Sequence, residues 1–380
     1  MKTYLLSELK QGMMFTEPVY IDEDTILVPA EVKITEKDLE RLKRWKIESV
    51  MSDGVIKSEI PVLSPGDVKN PLSQLAFHNE DQRQLMDKYT KWSAKLEQVF
   101  HLVKEQKVVD REGVLQIIAE ISQTLHEQRD AMIQFILYGV QGGFGIIGNA
   151  INGTVIAMLM GIEMNFLAHK LQQLAIAALL RDVGMVKIPE GIREKNEALE
   201  KQELQLIKTH PLHTYKILTK DMGFSEEVAT TSMQHHERWD GKGYPRSIKG
   251  KEISLPARIV SIADAFEAMV SERPYRDSMI GYAAVRTILG DNGRRFDPEV
   301  VKIFIRTFGI YPIGSIVLLS DASIGRVIEN HTDVPLRPRV KIMIGSDGHQ
   351  FSKDEGQDID LKDQKSVFIA RAINPKDLPS

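Results

Sequence analysis

Residues His235 to Pro245 read His-His-Glu-Arg-Trp-Asp-Gly-Lys-Gly-Tyr-Pro, in a chain that has only 10 histidines. Neutral imidazole is a good ligand for transition metals and titrates near physiological pH. Neighbouring residues on a helix point about 100° apart, so one ion does not easily take both rings. The pair therefore suits two adjacent metal positions, or a helix end that opens onto a cluster. Two half-exposed histidines at a helix end followed by a turn fit the pair alone equally well.

Other residues share the same chemistry. The stretch Ala257 to Phe266 is apolar except for Arg258, Ser261 and Asp264. A carboxylate in such a helix has to be paired or metal-bound, because a lone buried charge is expensive. Arg181-Asp182 follows the apolar run Leu174 to Leu180, and an Arg-Asp pair there is more often a structural ion pair than a site. His210-Pro211 follows a helical stretch and alone reads as a cap or a surface histidine. Arg273 and Arg276 flank Tyr275, and guanidinium groups beside an aromatic ring suit phosphate and nucleobase recognition. The chain has no cysteine, which excludes disulfides, thiolate metal sites and thiol nucleophiles. Ligands can come only from His, Asp, Glu and other oxygen donors.

The elements that position these groups fall into three parts. Residues 1–58 alternate short strand-like runs (Pro18 to Ile21, Thr25 to Val28, Val50-Met51) with a helix over Lys37–Trp45, capped by Thr35, and form a small α/β module. Residues 59–82 carry Pro, Gly, Ser and Asn without periodicity and read as a linker. Residues 83–309 are helical by period: one stripe runs Met86, Tyr89, Trp92, Leu96, Phe100, Val103, and Val114 to Leu137 repeats it. Further helices fit Glu203–Met222, Glu226–Glu237, Leu255–Ser271, Tyr282–Leu289 and Pro298–Thr307. Gly142, Gly143, Gly145 and Gly148 interrupt two helical stretches as a hinge or tight-packing point and lack the Lys-Ser/Thr ending of a phosphate loop. Residues 310–380 change to strand period at 315–319, 324–328, 339–344 and 366–370, and form a small β module without a recognisable site.

Composition sets further limits. With 380 residues, 42% hydrophobic and 27% charged, the composition is that of a globular protein of two or three domains, and the helical period of residues 83–309 makes the expected class multidomain and mainly α. A net charge of −4 implies no general affinity for nucleic acid or membrane surfaces. Met1 to Phe15 has no signal-peptide core, and the run Leu174–Leu180 is too short for a membrane span. The expectation is a cytoplasmic protein.

The segments Ala177–Gly184, Thr209–Pro211, His235–Pro245, Ala257–Asp264, Arg273–Arg276 and Asn292–Pro298 together resemble the HD-GYP family, a branch of the HD-type metal-dependent phosphohydrolases tied to bacterial cyclic di-GMP hydrolysis. The resemblance covers about residues 140–310, and His235–Pro245 is its most specific part. It implies an all-helical domain, metal ligands at Asp182, His210, His235, His236 and Asp264, a catalytic role for Asp182 if the site is active, and ligand binding by Tyr244, Arg273 and Arg276. It also implies a cyclic di-GMP or related nucleotide partner, and a protein signalling partner.

The chain departs from the family where the chemistry is most demanding. Arg181-Asp182 stands in place of the His-Asp doublet. Asn149 stands at an earlier histidine position, Gly145 at an upstream acid, and Met185 where a Lys follows the doublet's glycine. Asn is a poor ligand, and Arg never is one, because it stays protonated. One metal position is therefore expected to be lost, leaving room for at most one divalent transition metal (Fe, Mn, Zn or Ni). Arg181 is expected to act as a built-in cation beside Asp182 and Asp264. Three functions follow: a degenerate sensor or partner-binding protein with little or no hydrolysis, a cyclic di-GMP phosphodiesterase with a reduced metal site, or a purely structural interaction module.

Overall fold

A computed structural model describes most of residues 2–54, and residues 79–107, 111–139, 145–271 except 194 and 196, 281–352 and 355–373. The chain divides into two compact units, Met1–Lys69 and Asn70 onward. The expected linker, Trp45, the glycine cluster before Gly145, and Arg273 and Arg276 lie wholly or mainly outside the described residues.

In the first unit, strands β1 (Lys2–Leu5), β2 (Val19–Tyr20), β3 (Ile26–Val28) and β4 (Ser49–Ser52) form one antiparallel sheet in the order β1-β4-β2-β3. The expected strands correspond to β2, β3 and β4. β1 was not anticipated, and it pairs with β4 in the register Thr3 to Met51. Thr35 caps the start of the helical stretch, its backbone N–H donating to Asp38 Oδ2 at 2.9 Å. Leu42 from that stretch is buried with Phe15, Val19, Val28, Ile34 and Val50.

The second unit is mainly helical. Helix α1 (Asn79–Lys104) buries Tyr89, Trp92, Leu96, Phe100 and Val103 of the expected stripe on one face, with Leu85 buried beside them and Met86 only partly buried. The long stretch after it breaks at Gln128, whose backbone leaves the helical region, into α2 (Arg111–Glu127) and α3 (Arg129–Gln134), which runs into a wider turn at Phe135–Gly139. Helix α4 (Gly145–Glu163) is apolar on all sides and is the centre of the core. It is long and apolar enough to cross a membrane by length and composition, a longer apolar segment than the run at Leu174, yet 78% of its apolar window is buried inside the protein. Such a helix fits a core that surrounds it.

Helix α5 (Ala168–Leu180) packs beside α4 and ends at Arg181, followed by a 3₁₀ turn (Val183–Lys187) and the short α6 (Glu190–Arg193). The helix expected over Glu203–Met222 is two: α7 (Lys201–Ile207) and α8 (His210–Lys216), whose first turn carries Pro211. Proline suits that position because its missing N–H would have no partner there. Helix α9 (Glu226–Met233) stops before His235, so the histidine pair sits on the turn that leaves the helix. Helices α10 (Leu255–Val270), α11 (Gly281–Gly290) and α12 (Pro298–Phe308) complete the domain close to their expected bounds.

Strands β5 (Ile316–Leu319), β6 (Ile324–Glu329), β7 (Arg339–Ile344), β8 (Asp358–Asp360) and β9 (Ile369–Ile373) form an antiparallel sheet in the order β8-β7-β6-β5-β9. β8 was not expected, and β9 begins three residues later than the apolar run suggested. The sheet is tied to the helices by Tyr282, stacked on Tyr311 at 4.9 Å, and by Asn330, which donates to the Phe308 carbonyl at 2.9 Å.

One close approach places the site. A Cβ on Gly184 would collide with the His210 carbonyl oxygen and lie 2.6 Å from Thr214 N. Gly184 N–H donates to Thr214 Oγ1 at 3.0 Å, and that hydroxyl donates to the Arg181 carbonyl at 2.9 Å. The end of α5 is thereby locked against the start of α8. Gly184→Ala is expected to cost about 1–3 kcal/mol, the scale of overpacking, or roughly 2–4 °C of melting temperature per kcal/mol in a domain of this size. Gly191→Ala, where a Cβ meets nothing within 4 Å, should stay within about 0.5 kcal/mol. Equal melting temperatures for the two variants would contradict this packing.

Candidate metal centre

Asp182 leaves the end of α5, His210 opens α8, and His235 and His236 lie on the turn after α9. One potential ligand atom from each of these four lies within 4.8 Å of the others. His210 Nε2 is 3.3 Å and His235 Nε2 3.6 Å from Asp182 Oδ1. The ring centroids of His235 and His236 are 3.9 Å apart.

The tautomers follow from the surroundings. His210 Nδ1 is 2.8 Å from the Ile207 carbonyl, and His235 Nδ1 faces the Ser232 carbonyl. A carbonyl oxygen only accepts, so each Nδ1 carries the hydrogen and donates it. In a neutral ring the lone pair is then on Nε2, pointing at a carboxylate oxygen. Both Nε2 atoms are buried and make no well-directed hydrogen bond. Acceptors that face one another in this way need a proton or a cation between them. One carboxylate and these imidazoles match the donor set of a divalent transition metal, so the residues fit one such ion.

Arg181 sits on the far side of Asp182, 1% exposed. Its Nε is 3.3 Å from Asp182 Oδ2 and donates to Asp264 Oδ1 at 3.1 Å. Nη1 donates to the Ala178 carbonyl at 2.9 Å and Nη2 to the Asn149 carbonyl at 3.0 Å. The expected bridge between two carboxylates is thus present. Asp264, expected among the ligands, is held by Arg181 instead and is not among the converging ligand atoms. Asn149 contributes its backbone oxygen to Arg181, while its amide, oriented to donate, is 3.0 Å from Glu267 Oε1.

The charges reinforce this order. Burial would raise the Asp182 carboxyl, but the Arg181 guanidinium above all, with His210 and His235 close by, outweighs it and holds the carboxyl well below its ordinary range. Burial works against the charge on Arg181, and Asp264, Asp182 and Glu267 more than compensate. Burial, with His235 and His210 close by, pushes His236 well below an ordinary histidine and keeps it neutral, the form that ligates.

The Gly-Tyr-Pro turn is built from beneath. Glu237 is buried and its Oε1 accepts the Arg246 backbone N–H at 2.7 Å, while burial raises its carboxyl. Tyr244 N–H donates to the His236 carbonyl at 3.2 Å. A Cβ on Gly243 would collide with Arg238 N and approach Glu237 Cα to 2.5 Å, so the turn closes only with glycine there. The Tyr244 ring, half-buried, lies 4.7 Å from the His236 ring, and burial raises its hydroxyl. Lys208 Nζ lies 5.6 Å from the centre of that ring. The 292–298 segment braces the loop from the other side: Trp239 and Asp240 donate to the Arg295 and Arg294 carbonyls.

Two residues of the centre escaped sequence reasoning. Glu267 is fully buried, three residues beyond Asp264 on α10, and accepts from Ser271 Oγ at 2.6 Å. The argument applied to Asp264, an acid inside an apolar helix, applies to it equally. Lys208, at the break between α7 and α8, had no sequence signal, because the break itself was not anticipated.

Comparison with known proteins agrees with this geometry. Residues 144–300 match the HD domain, and residues 316–380 match a KOW domain associated with the HD domain. The chain is 24% identical to the cyclic di-GMP phosphodiesterase PdeB of Borreliella burgdorferi, over 94% of this chain and 92% of that protein. It is 26% identical to a cyclic di-GMP phosphodiesterase of Pseudomonas aeruginosa, over 82% and 77% of the two chains. A cyclic di-GMP phosphodiesterase of Thermotoga maritima is 37% identical over 40% of each chain. Among solved structures, an HDG"Y"P protein of Bdellovibrio bacteriovorus aligns at 15% identity with a TM-score of 0.49, covering 80% of this chain and 97% of that one. With the HD match over residues 144–300, the Asp182–His210–His235–His236 cluster and the Gly-Tyr-Pro turn, the helical part of the chain is an HD-GYP-like HD domain.

Proposed function

We propose that this protein binds cyclic di-GMP or a related cyclic dinucleotide at a centre holding one divalent transition metal, hydrolyses it slowly or not at all, and passes the signal to a protein partner. The observation that carries this reading is the guanidinium of Arg181, wedged between Asp182 and Asp264 where a second ion would need those oxygens. Asp182, His210, His235 and His236 would hold the single ion. When bound, it supplies Lewis-acid polarisation of a phosphoryl oxygen. The chain's own residues do the rest. His210 and His235 keep their Nε2 atoms aimed inward through their carbonyl partners. Tyr244 offers the exposed part of its ring beside the cluster for a guanine, and Lys208 brings a cation to the same edge. Arg273 and Arg276 complete the grip on the phosphates in this reading.

Slow turnover follows from the charge arrangement. Asp264 is committed to Arg181, and Met185 supplies no cation near the phosphate. Loss of one of two activating ions removes several kcal/mol of transition-state stabilisation, at tenfold in rate per about 1.4 kcal/mol. A working phosphodiesterase with a reduced metal site is the second reading. It is favoured by the four converging ligand atoms and by the activity named for the relatives.

The purified protein is expected to carry at most one transition metal ion per chain by elemental analysis, and His235→Ala to carry none. Two or three ions after stringent washing would overturn the single-ion reading. Turnover of cyclic di-GMP should stay below about 1 s⁻¹, the low end of ordinary enzymes. A faster rate abolished by a chelator would establish the second reading. In calorimetry, Tyr244→Ala should weaken cyclic di-GMP binding by about tenfold, since stacking on an aromatic ring is worth about 1–3 kcal/mol. No heat from the wild type at high micromolar ligand would leave a structural interaction module.

A further inference from the structure

Several arginines near the Gly-Tyr-Pro turn are neutralised by aspartates. Arg238 pairs with Asp240 at 2.8 Å, Arg258 with Asp297 at 2.6 Å and Arg294 with Asp291 at 2.8 Å. Arg295, next to Arg294, has no carboxylate partner among the described residues. Its side chain is half-buried, and its guanidinium lies 5.1 Å from the centre of the buried Phe296 ring. The backbone beneath it is pinned: Arg295 N–H donates to the Asp291 carbonyl at 2.9 Å, and the Arg295 carbonyl accepts from Trp239 N–H at 3.0 Å. A planar fork resting on a fixed ring is pre-organised, so little freedom is lost when its donors are used. Its charge reaches the Tyr244 ring at the hydroxyl end. Burial, with Asp182 and Asp264, raises that hydroxyl, and Arg295 acts against them.

A base stacked on Tyr244 lies parallel to the ring, so a cation beside the hydroxyl end meets the edge of the base rather than its face. A guanidinium only donates. Guanine carries two acceptors, O6 and N7, side by side on one edge, whereas adenine carries N7 beside the N6 amino donor. The fork of an arginine therefore makes two hydrogen bonds to guanine and sets donor against donor on adenine. The ammonium of Lys208, a point charge on a flexible stem, suits a phosphate oxygen instead. Resting on the cyclic-dinucleotide reading above, we infer that Arg295 takes the O6/N7 edge of a guanine stacked on Tyr244 and makes the site selective for guanine over adenine. Arg295 is in this role a specificity residue. It touches the base and supplies neither proton nor charge to the reacting phosphate.

The test is calorimetry on the full chain with cyclic di-GMP and with cyclic di-AMP, its adenine counterpart, at one metal load. The two ligands carry the same phosphates and sugars, so the ratio of their affinities reads the base alone. The wild type is expected to bind cyclic di-GMP about tenfold more tightly, the scale of one good bidentate contact to a base edge. Arg295→Met keeps an apolar stem over Phe296 without donors and should bring the ratio close to one, chiefly by weakening cyclic di-GMP. Arg295→Gln should shift the ratio toward cyclic di-AMP, because a carboxamide pairs with the N6/N7 edge of adenine. If Arg295→Met fails to fold, Arg295→Gln carries the test. Arg294→Met removes an equal charge one residue away and should leave the ratio as it is in the wild type. A wild type that binds both dinucleotides equally would overturn the inference and leave the cyclic-dinucleotide reading standing. Equal weakening of both ligands in Arg295→Met would also overturn it, since that is attraction to the phosphates. A wild type that binds neither would sink the reading itself and this inference with it.

Discussion

The centre depends on a buried guanidinium held among carboxylates. Taking a charge out of water costs several kcal/mol even after relaxation, and one partner seldom offsets it. Arg181 has two carboxylate partners and two carbonyl acceptors, from α4, α5, α10 and the turn after α5. The consequence reaches both ways. The guanidinium ties α4, α5 and α10 together at one point, and it divides the two oxygens of Asp182 between two tasks. One oxygen balances Arg181, and the other faces the imidazoles.

The rest of the centre is assembled at element ends, where backbone groups are available to orient side chains. His210 stands at the start of a helix and His235 just past the end of another, and each finds a carbonyl three residues earlier for its Nδ1–H. This local bond sets the tautomer before any ion arrives. Gly184 brings the two helix ends within reach of one carboxylate. Glu237, buried beneath the loop, supplies acceptors for backbone groups that would otherwise be stranded around Arg246. The Gly-Tyr-Pro turn is thus held by its own internal bonds and by the bracing segment at 292–298, and Tyr244 lies against the histidines as a result.

This arrangement separates two properties that a multi-ion centre would join. Asp182, His210, His235 and His236 could hold one metal ion through carboxylate and imidazole donors. The charge that a further ion would supply is built into the chain as a side chain. A guanidinium can orient a carboxylate and neutralise it, but it cannot polarise a phosphoryl oxygen as a Lewis acid or lower the pKa of water. In the proposed reading, binding and chemistry are unequally preserved, and the chain would recognise a cyclic dinucleotide better than it cleaves one.

Much of this was legible in the residues themselves. The helical middle followed from apolar spacing such as Tyr89/Trp92/Leu96/Phe100, and the histidine pair with its Gly-Tyr-Pro turn marked the centre. Arg181 and Asn149 stand where the resemblance puts metal ligands, and the expected guanidinium bridge between Asp182 and Asp264 is present. Helix breaks at Gln128 and Lys208 were hidden, since apolar periodicity continues across them and the break depends on what packs alongside. β1 and β8 were hidden because such short strands exist only through their pairing partners. The sharing of Asp182 between Arg181 and two histidines, the pairing of Asp264 with Arg181 and the burial of Glu267 were decided by tertiary structure alone. Spacing along a chain states which side chains lie on one face of a helix. Only the packing of α4, α5, α8 and α10 against one another determines which oxygen meets the guanidinium and which meets the imidazoles.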